Sequence, residues 1–159
     1  MDNLRNTDQQ KIVVFSLEEP GYALYLSEVV KVERAVEITP LPGAPQLVAG
    51  VIDVHGEILP VLDIRRLFRL PQRDKRVEDQ FIIARTSQRL VVLVVDSVIG
   101  VYDLEPHDVM DDKGPFPCTK YLSGIAAIEH GIVLITDLEQ FLSLDEQRVL
   151  DAALAESEK

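Results

Sequence analysis

The sequence predicts a mainly β protein made of two similar halves, each folded as a small sheet. Valine, isoleucine and tyrosine are concentrated in short runs, and turn-forming residues separate these runs. Branched side chains suit the pleated, half-buried surface of a strand, so the runs favour strands over helices. The longest purely apolar run, residues 90–95, is much shorter than the about 20 residues that a membrane-spanning helix needs. We therefore expect no direct insertion into a membrane.

An internal repeat is the observation that indicates two halves. Residues 50–64 reappear without a gap as residues 124–138, an offset of 74. Three upstream segments align at an offset of 69: 12–14 with 81–83, 22–26 with 91–95, and 29–32 with 98–101. The repeated positions are a glycine, apolar residues and a terminal aspartate. The repeat thus indicates a duplicated fold without a duplicated catalytic motif.

Length and charge narrow the range of functions. A chain of 159 residues suits one domain or two closely packed subdomains. With 27 acidic against 16 basic residues the net charge is −11, which argues against a nucleic-acid partner because phosphates would be repelled. A lone cysteine, Cys118, excludes an internal disulfide framework, and the polar residues 1–10 do not resemble a signal peptide. These features predict a protein of the cytoplasm.

Glycines and turn residues mark the ends of several strands. Residues 18–21 (EEPG) predict a hairpin turn, since proline presets φ at the second position and glycine tolerates positive φ at the third. His55-Gly56 and His130-Gly131 predict tight turns at related places in the two halves. Gly50 and Gly124 begin the repeated segment, and we assign them structural roles.

Each half ends on an aspartate followed by a short amphipathic stretch. Asp63 and Asp137 are predicted N-caps, because a carboxylate at that position accepts hydrogen bonds from unpaired helix N–H groups. Ser143 and Glu146 have the spacing of a capping box. The apolar residues that follow recur at helical intervals, so a terminal helix is expected: Val149, Leu150, Ala153 and Leu154.

Motifs for catalysis or for cofactors are missing from the sequence. There is neither a Gly-x-Ser-x-Gly elbow nor a phosphate-binding glycine loop. His55, His107 and His130 lack the spacing of metal ligands. An acid and base pair formed by Asp63 and Asp137 is an alternative, but capping explains both residues without unusual chemistry. We predict a protein that is not an enzyme, that needs no cofactor or metal, and that works by contact.

Beyond the repeat, the order of the segments resembles the CheW-like domain of bacterial chemotaxis coupling proteins over residues 11–143. The residues that carry the resemblance are 14–17, 22–24, 29–32, 41–45, 50–65, 94–101, 121–124 and 135–138. The resemblance implies two five-stranded, SH3-like barrels around a common apolar core. It also implies the following division: a flexible segment at 1–10, two subdomains at about 11–70 and 79–143, and a C-terminal helix and tail at 144–159.

By this resemblance the chain would be a stand-alone adaptor without activity of its own. It would join a CheA-type histidine kinase, through that kinase's CheW-like regulatory domain, to the cytoplasmic tips of methyl-accepting chemoreceptors. In the family a receptor tip is a helical hairpin that lies in an apolar groove between the barrels. The positions carried over to this groove are Val29, Val30, Lys31, Val32, Val48 and His55, with Val98, Ile99 and Val101 as neighbours from the second half.

Two of these positions depart from the family pattern. Lys31 stands where the family usually has glutamate, and His55 stands where it usually has arginine. Arginine stays charged and offers a planar fork of donors, whereas histidine is mostly neutral near neutral pH. Either the docking surface is altered for unusual receptors, or both positions are exposed and simply vary. Two other functions stay open: a β-barrel that binds a small ligand near His55 or His130, and a kinase-binding inhibitor that does not recruit receptors.

Overall fold

A computed structural model of the chain describes residues 11–17, 21–110, 119–129 and 131–157. These residues form mainly strands, which confirms the predicted fold class. The strands are β1 (Lys11–Ser16), β2 (Gly21–Tyr25), β3 (Val29–Arg34), β4 (Val48–Val54), β5 (Glu57–Leu62), β6 (Gln80–Arg85), β7 (Leu90–Val95), β8 (Ser97–Asp103), β9 (Val109–Met110), β10 (Leu122–Ile128) and β11 (Gly131–Thr136). The α-helices are α1 (Ile64–Leu67) and α2 (Leu144–Ser157), and short 3₁₀ turns lie at Leu26–Glu28, Pro106–Asp108, Thr119–Tyr121 and Leu138–Gln140.

The two sheets exchange strands between the halves of the sequence. One is six-stranded, in the order β8-β1-β2-β11-β10-β9, and the other is five-stranded, in the order β3-β6-β7-β5-β4. Each sheet therefore combines the hairpin of one half with the remaining strands of the other half. The prediction that each half forms its own sheet is wrong. A repeat identifies equivalent strands, but it cannot say which copy a strand pairs with, because both copies offer the same edges.

Strand registers show that the duplication is structural. Ala23 pairs with Ile135 in one sheet, and Val92 pairs with Val61 in the other, which are equivalent pairs at the offsets of 69 and 74. Even the bulges repeat, since the register shifts between Val48 and Gly50 and again between Leu122 and Gly124. Because each half makes the same contacts to the other, an approximate two-fold axis relates the two halves of the sequence.

Strand counts differ between the two barrels. Five strands were expected in each, but the two-residue strand β9 adds a sixth to one sheet by pairing with β10. At the corresponding place in the other barrel there is a single bridge between Thr39 and Val51. The difference is one short edge pairing and leaves the remaining order of strands equivalent.

Apolar side chains fill three regions: the interior of each barrel and a core shared between them. In β2, Ala23 faces one barrel interior, while Tyr22 and Leu24 face the shared core. In the equivalent strand β7, Val92 faces the other interior, while Val91 and Leu93 face the shared core. Strands buried on both faces read as continuous apolar runs, which explains the run 90–95. The common core implied by the resemblance is present.

Close backbone approach explains the repeated glycine. A Cβ at Gly50 would lie 2.3 Å from the carbonyl oxygen of Thr39, so no other residue fits there without displacing that segment. At Gly124 a Cβ would lie 3.0 Å from a methyl group of Val109. The predicted turn at His55-Gly56 is formed, with φ of 52° and 88°, as a type I′ turn requires.

Helix caps agree with the sequence at two of three places. The carboxylate of Asp63 accepts from the amide of Arg65 at 3.2 Å, and Ser143 and Glu146 form the predicted capping box with bonds of 2.9 and 3.1 Å. The cap predicted at Asp137 is wrong: its side chain makes no capping bond, and in the 3₁₀ turn that follows only the Asp137 carbonyl accepts, from the Gln140 amide at 3.0 Å.

Several predicted features lie outside the described residues: the segment 1–10, most of the 18–21 turn, Cys118 and His130. The helix α2 extends beyond Leu154 to Ser157, and its exposed Val149 does not join Leu150 and Ala153 in the shared core. Within the described residues, every helix is too short or too polar to cross a membrane.

Candidate functional site

The expected receptor-contact residues fall mainly on two equivalent edge strands. β3 is an edge of the five-stranded sheet, and β8 is an edge of the six-stranded sheet. Alternation along each strand turns every second apolar residue outward. The exposed fractions are 47% for Val30, 37% for Val32, 51% for Ile99 and 54% for Val101. Each barrel thus presents an apolar outer face, which we call its edge face.

Three other predicted residues lie at the seam between the barrels. Val29 and Val98 occupy equivalent positions and both pack, half-buried, against the shared core. The two edge strands therefore begin at the same seam. Val48 is only 8% exposed and belongs to that core. The structure removes it from the docking surface, because the first side chain of β4 points inward.

Lys31 and His55 are brought together by the closure of the five-stranded barrel. The ammonium of Lys31 lies 3.4 Å from Nε2 of His55 and 2.8 Å from a carboxylate oxygen of Glu33. β3 and the β4–β5 turn lie at opposite edges of the sheet order, so this contact joins the two edges. The two departures from the family pattern are therefore neighbours that share a hydrogen bond.

Sequence reasoning missed a second equivalent pair of exposed apolar residues. Ile58 and Ile132 are related by the offset of 74 and are 39% and 49% exposed. Ile58 follows the tight turn at His55-Gly56 and pairs with Asp53, and Ile132 is the second residue of β11. They lie in apolar runs whose later members are buried, so the sequence pattern alone does not single them out. The repeat could have found them, as two apolar residues that correspond at the offset of 74.

A buried network of arginine and aspartate also escaped the sequence analysis. Arg65, on α1, donates to Asp96, which lies between β7 and β8. Arg73 donates both to Asp96 and to Asp79, the latter at 2.7 Å. The exposed fractions of Arg65 and Asp79 are 7% and 2%. The network thus links the segment between β5 and β6, which connects the two halves, to Asp96 between β7 and β8.

Electrostatics in this network favour the charged forms. Burial would raise the pKa of Asp96 and of Asp79, but hydrogen bonds from arginine outweigh it and lower both pKa values. For Arg73, the hydrogen bond to Asp79 raises the pKa further. Charged side chains paired in this way hold the structure together, although the buried Nε of Arg73 has no hydrogen-bond partner within the described residues. Among the described residues no group of three histidine, cysteine or acidic side chains is arranged to hold a metal ion.

Comparison with known proteins gives consistent results at the levels of family, sequence and structure. The family model of the CheW-like domain matches residues 11–146. Chemotaxis protein CheW of Klebsiella aerogenes is 26% identical over 89% of this chain and 87% of its own length, and protein FrzA of Myxococcus xanthus is 28% identical over 86% and 81%. The crystal structure of the scaffolding protein TtCheW from Thermoanaerobacter tengcongensis is similar, with a TM-score of 0.78, 29% identity, and coverage of 87% of this chain and 90% of that one. The chain belongs to the CheW-like domain family.

Proposed function

We propose that the chain is a non-enzymatic adaptor that couples a CheA-type histidine kinase to the cytoplasmic tips of chemoreceptors in a chemosensory array. The observation that carries the proposal is the pair of equivalent edge faces, one on each barrel. An adaptor has to hold two partners at once, and a duplicated fold supplies two related surfaces on one rigid body. The mechanism is geometric, because signal passes as a change in how the partners are held.

Exposed apolar residues support docking at the edge faces. Val30 and Val32 lie on one strand at alternate positions, and Ile99 and Val101 repeat this arrangement on the other barrel. Apolar side chains grouped on a surface mark sites of protein association more often than isolated ones do. A helical hairpin with an apolar stripe suits such a surface, and so does an edge of another barrel of the same fold.

Packing of the barrels argues against the small-ligand alternative. The interior of the five-stranded barrel is filled by buried side chains that include Phe81, Ile83 and Val92. The interior of the other is filled by Ile12, Val14, Ile135 and their neighbours. A barrel filled in this way has no room for a ligand between its strands. The inhibitor alternative differs from the adaptor proposal only in receptor recruitment, which the following test measures.

Co-sedimentation of chain, kinase and receptor-containing membranes tests the proposal. We expect the chain in the pellet to increase when kinase is present. In Val30→Glu the amount carried down should fall by about tenfold, because a charge would have to be buried against the partner. The matched control is Val77→Glu, in the connection between the halves, where the side chain is 83% exposed and belongs to neither edge strand. It should behave as the unchanged protein does.

Two outcomes would contradict the adaptor proposal. The first is a pellet that holds no more of the chain with kinase than without it. The second is kinase binding in solution with no receptor-dependent recruitment, which would identify an inhibitor. Equal recruitment of Val30→Glu and Val77→Glu would remove the edge face of β3 from the docking surface.

A further inference from the structure

We propose that the cleft on the local two-fold axis is a binding site for a short acidic peptide segment with an apolar anchor. This cleft, here called the basic cleft, has a volume of about 890 Å³ and is lined by residues that precede β4 and β10 and by residues in or next to α1 and α2. It is separate from the edge faces, and the adaptor proposal does not use it. Its occupant is inferred from an apolar floor and a cationic rim.

Equivalent residues of the two halves form the floor of the basic cleft. Leu47 and Tyr121 correspond at the offset of 74, as do Leu67 and Phe141. The first correspondence is also structural: the carbonyl of Leu47 accepts from the amide of Asp63 at 2.8 Å, and the carbonyl of Tyr121 accepts from the amide of Asp137 at 2.7 Å. The floor is therefore apolar and partly aromatic, which suits a leucine or phenylalanine side chain.

Three cations stand around this floor. Arg66, Arg69 and Lys120 all line the basic cleft, in a protein with only 16 basic residues and a net charge of −11. Among the described residues, no carboxylate lies in salt-bridge range of Arg69 or of Lys120, and the Lys120 ammonium lies 4.9 Å from the centre of the Tyr121 ring. Arg66 is held 3.3 Å from Asp63.

Acidic side chains around the basic cleft are already engaged. Glu146 also lines it, but its carboxylate accepts from the amide of Ser143 at 2.9 Å within the capping box. Asp63 is engaged by Arg66 and by the amide of Arg65. The lining of the cleft carries three cations and one carboxylate, so its net charge is positive. Carboxylates elsewhere on the surface are screened within about 8 Å at physiological ionic strength, so the local cations decide which ligand is attracted.

The backbone places one of these arginines at a position that normally belongs to glycine. α1 ends in a Schellman motif, in which the amide of Leu70 donates to the carbonyl of Arg65 at 2.8 Å. Arg69 occupies the left-handed position of that motif with φ of 58°. Glycine adopts this conformation without strain. An arginine in its place brings a cation to the rim at some cost in stability, and it makes Arg69→Gly a favourable test variant.

The test is fluorescence anisotropy with a labelled hexapeptide, a leucine-phenylalanine pair flanked by two glutamates on each side. We expect saturable binding that weakens when sodium chloride is raised from about 0.05 M to about 0.5 M, because the rim contacts are ionic. Arg69→Gly should weaken binding by about threefold or more, as loss of one exposed ion pair does at its upper range. The same variant should melt at an unchanged or higher temperature.

Controls separate the basic cleft from general charge. Arg34→Ala removes an exposed arginine that does not line the cleft and should bind as the unchanged protein does. A hexapeptide with glutamine in place of glutamate, and one with alanine in place of leucine and phenylalanine, should each bind several-fold more weakly. Equal affinities of Arg69→Gly and Arg34→Ala would overturn the proposal. So would displacement of the peptide by citrate at a comparable concentration, since that result would indicate a small organic anion.

Discussion

Glu28 is a partly buried residue whose charged form is disfavoured by the fold. One of its oxygens is buried and has no hydrogen-bond partner within the described residues. Burial raises the pKa of Glu28 to about 7; a backbone hydrogen bond with Tyr25 opposes the increase, and repulsion from Asp137 and Glu139 adds to it. Glu28 ends the 3₁₀ turn that leads directly into β3. A carboxylate with a raised pKa therefore directly precedes the first residue of an edge strand.

Stability should depend on pH through this residue. In the unfolded chain Glu28 ionises near 4.5, while in the folded chain it does so near 7. The folded state therefore binds more protons between these values, so its stability falls as the pH rises through this window. Glu28→Gln should be more stable than the unchanged protein by about 1 kcal/mol at about pH 8, after allowance for partial solvent exposure, and the gain should vanish near about pH 4.5.

Denaturant unfolding at a series of pH values measures this difference. A constant difference between Glu28→Gln and the unchanged protein across the series would show that Glu28 ionises in the folded chain as it does in the unfolded one. Asp137 and Glu139 face Glu28 from the far side of the seam, so the effect includes their repulsion.

Single residues were predictable from sequence only where their roles are local. Asp63 acts as the expected cap because it serves an amide two residues away, at a helix start that the sequence marks. Asp137 occupies the equivalent position, yet the turn that follows it is 3₁₀ and its side chain makes no capping bond. Burial raises the pKa of Glu28, repulsion from Asp137 and Glu139, more than 100 positions away, adds to it, and no local pattern reveals either cause.

The connection between β5 and β6 is held by charge as well as by the burial of Ile64 and Phe68 in the shared core. Arg65 and Arg73 both donate to Asp96, and Arg73 also reaches Asp79. Arg65 additionally donates to the carbonyl of Pro71 at 3.2 Å. Partners in the network are separated by up to 31 residues. No sequence pattern indicates which arginine pairs with which aspartate, although the neighbouring strands were predicted from their apolar runs.

Removal of the central carboxylate should therefore be costly. Asp96→Asn leaves two arginines without their shared anion, and we expect it to lower the free energy of unfolding by about 3 kcal/mol. The matched control is Asp103→Asn, because Asp103 is 77% exposed and pairs with Lys11 at 3.1 Å on the surface. Its loss should cost no more than about 0.5 kcal/mol.

Urea denaturation of the two variants at neutral pH provides the comparison. Because the pKa values of Asp96 and Asp79 are lowered, their contribution is complete above the unfolded value of 3.8 and is lost as the pH falls through the lowered values. Losses of similar size in Asp96→Asn and Asp103→Asn would mean that the buried network is no stronger than a surface ion pair.

At the scale of the whole molecule, duplication explains both the architecture and its two edge faces. The repeat revealed equivalent segments, and the registers of the strands confirm the equivalence. The exchange of hairpins between the barrels was not predictable, because it depends on which copy of an edge is nearer in space. Exchange makes the two barrels one body, since each contains strands from both halves. A rigid body of this kind suits a protein that holds two partners in a fixed relation.

An adaptor has to bind the kinase and the receptor at the same time. The direct measurement is sedimentation velocity of the chain mixed with the regulatory domain of a CheA-type kinase and a labelled receptor-tip hairpin. We expect one boundary that carries all three components, with the label sedimenting faster than in either two-component mixture. Displacement of the receptor hairpin by the kinase domain, so that the label returns to its free sedimentation rate, would contradict it.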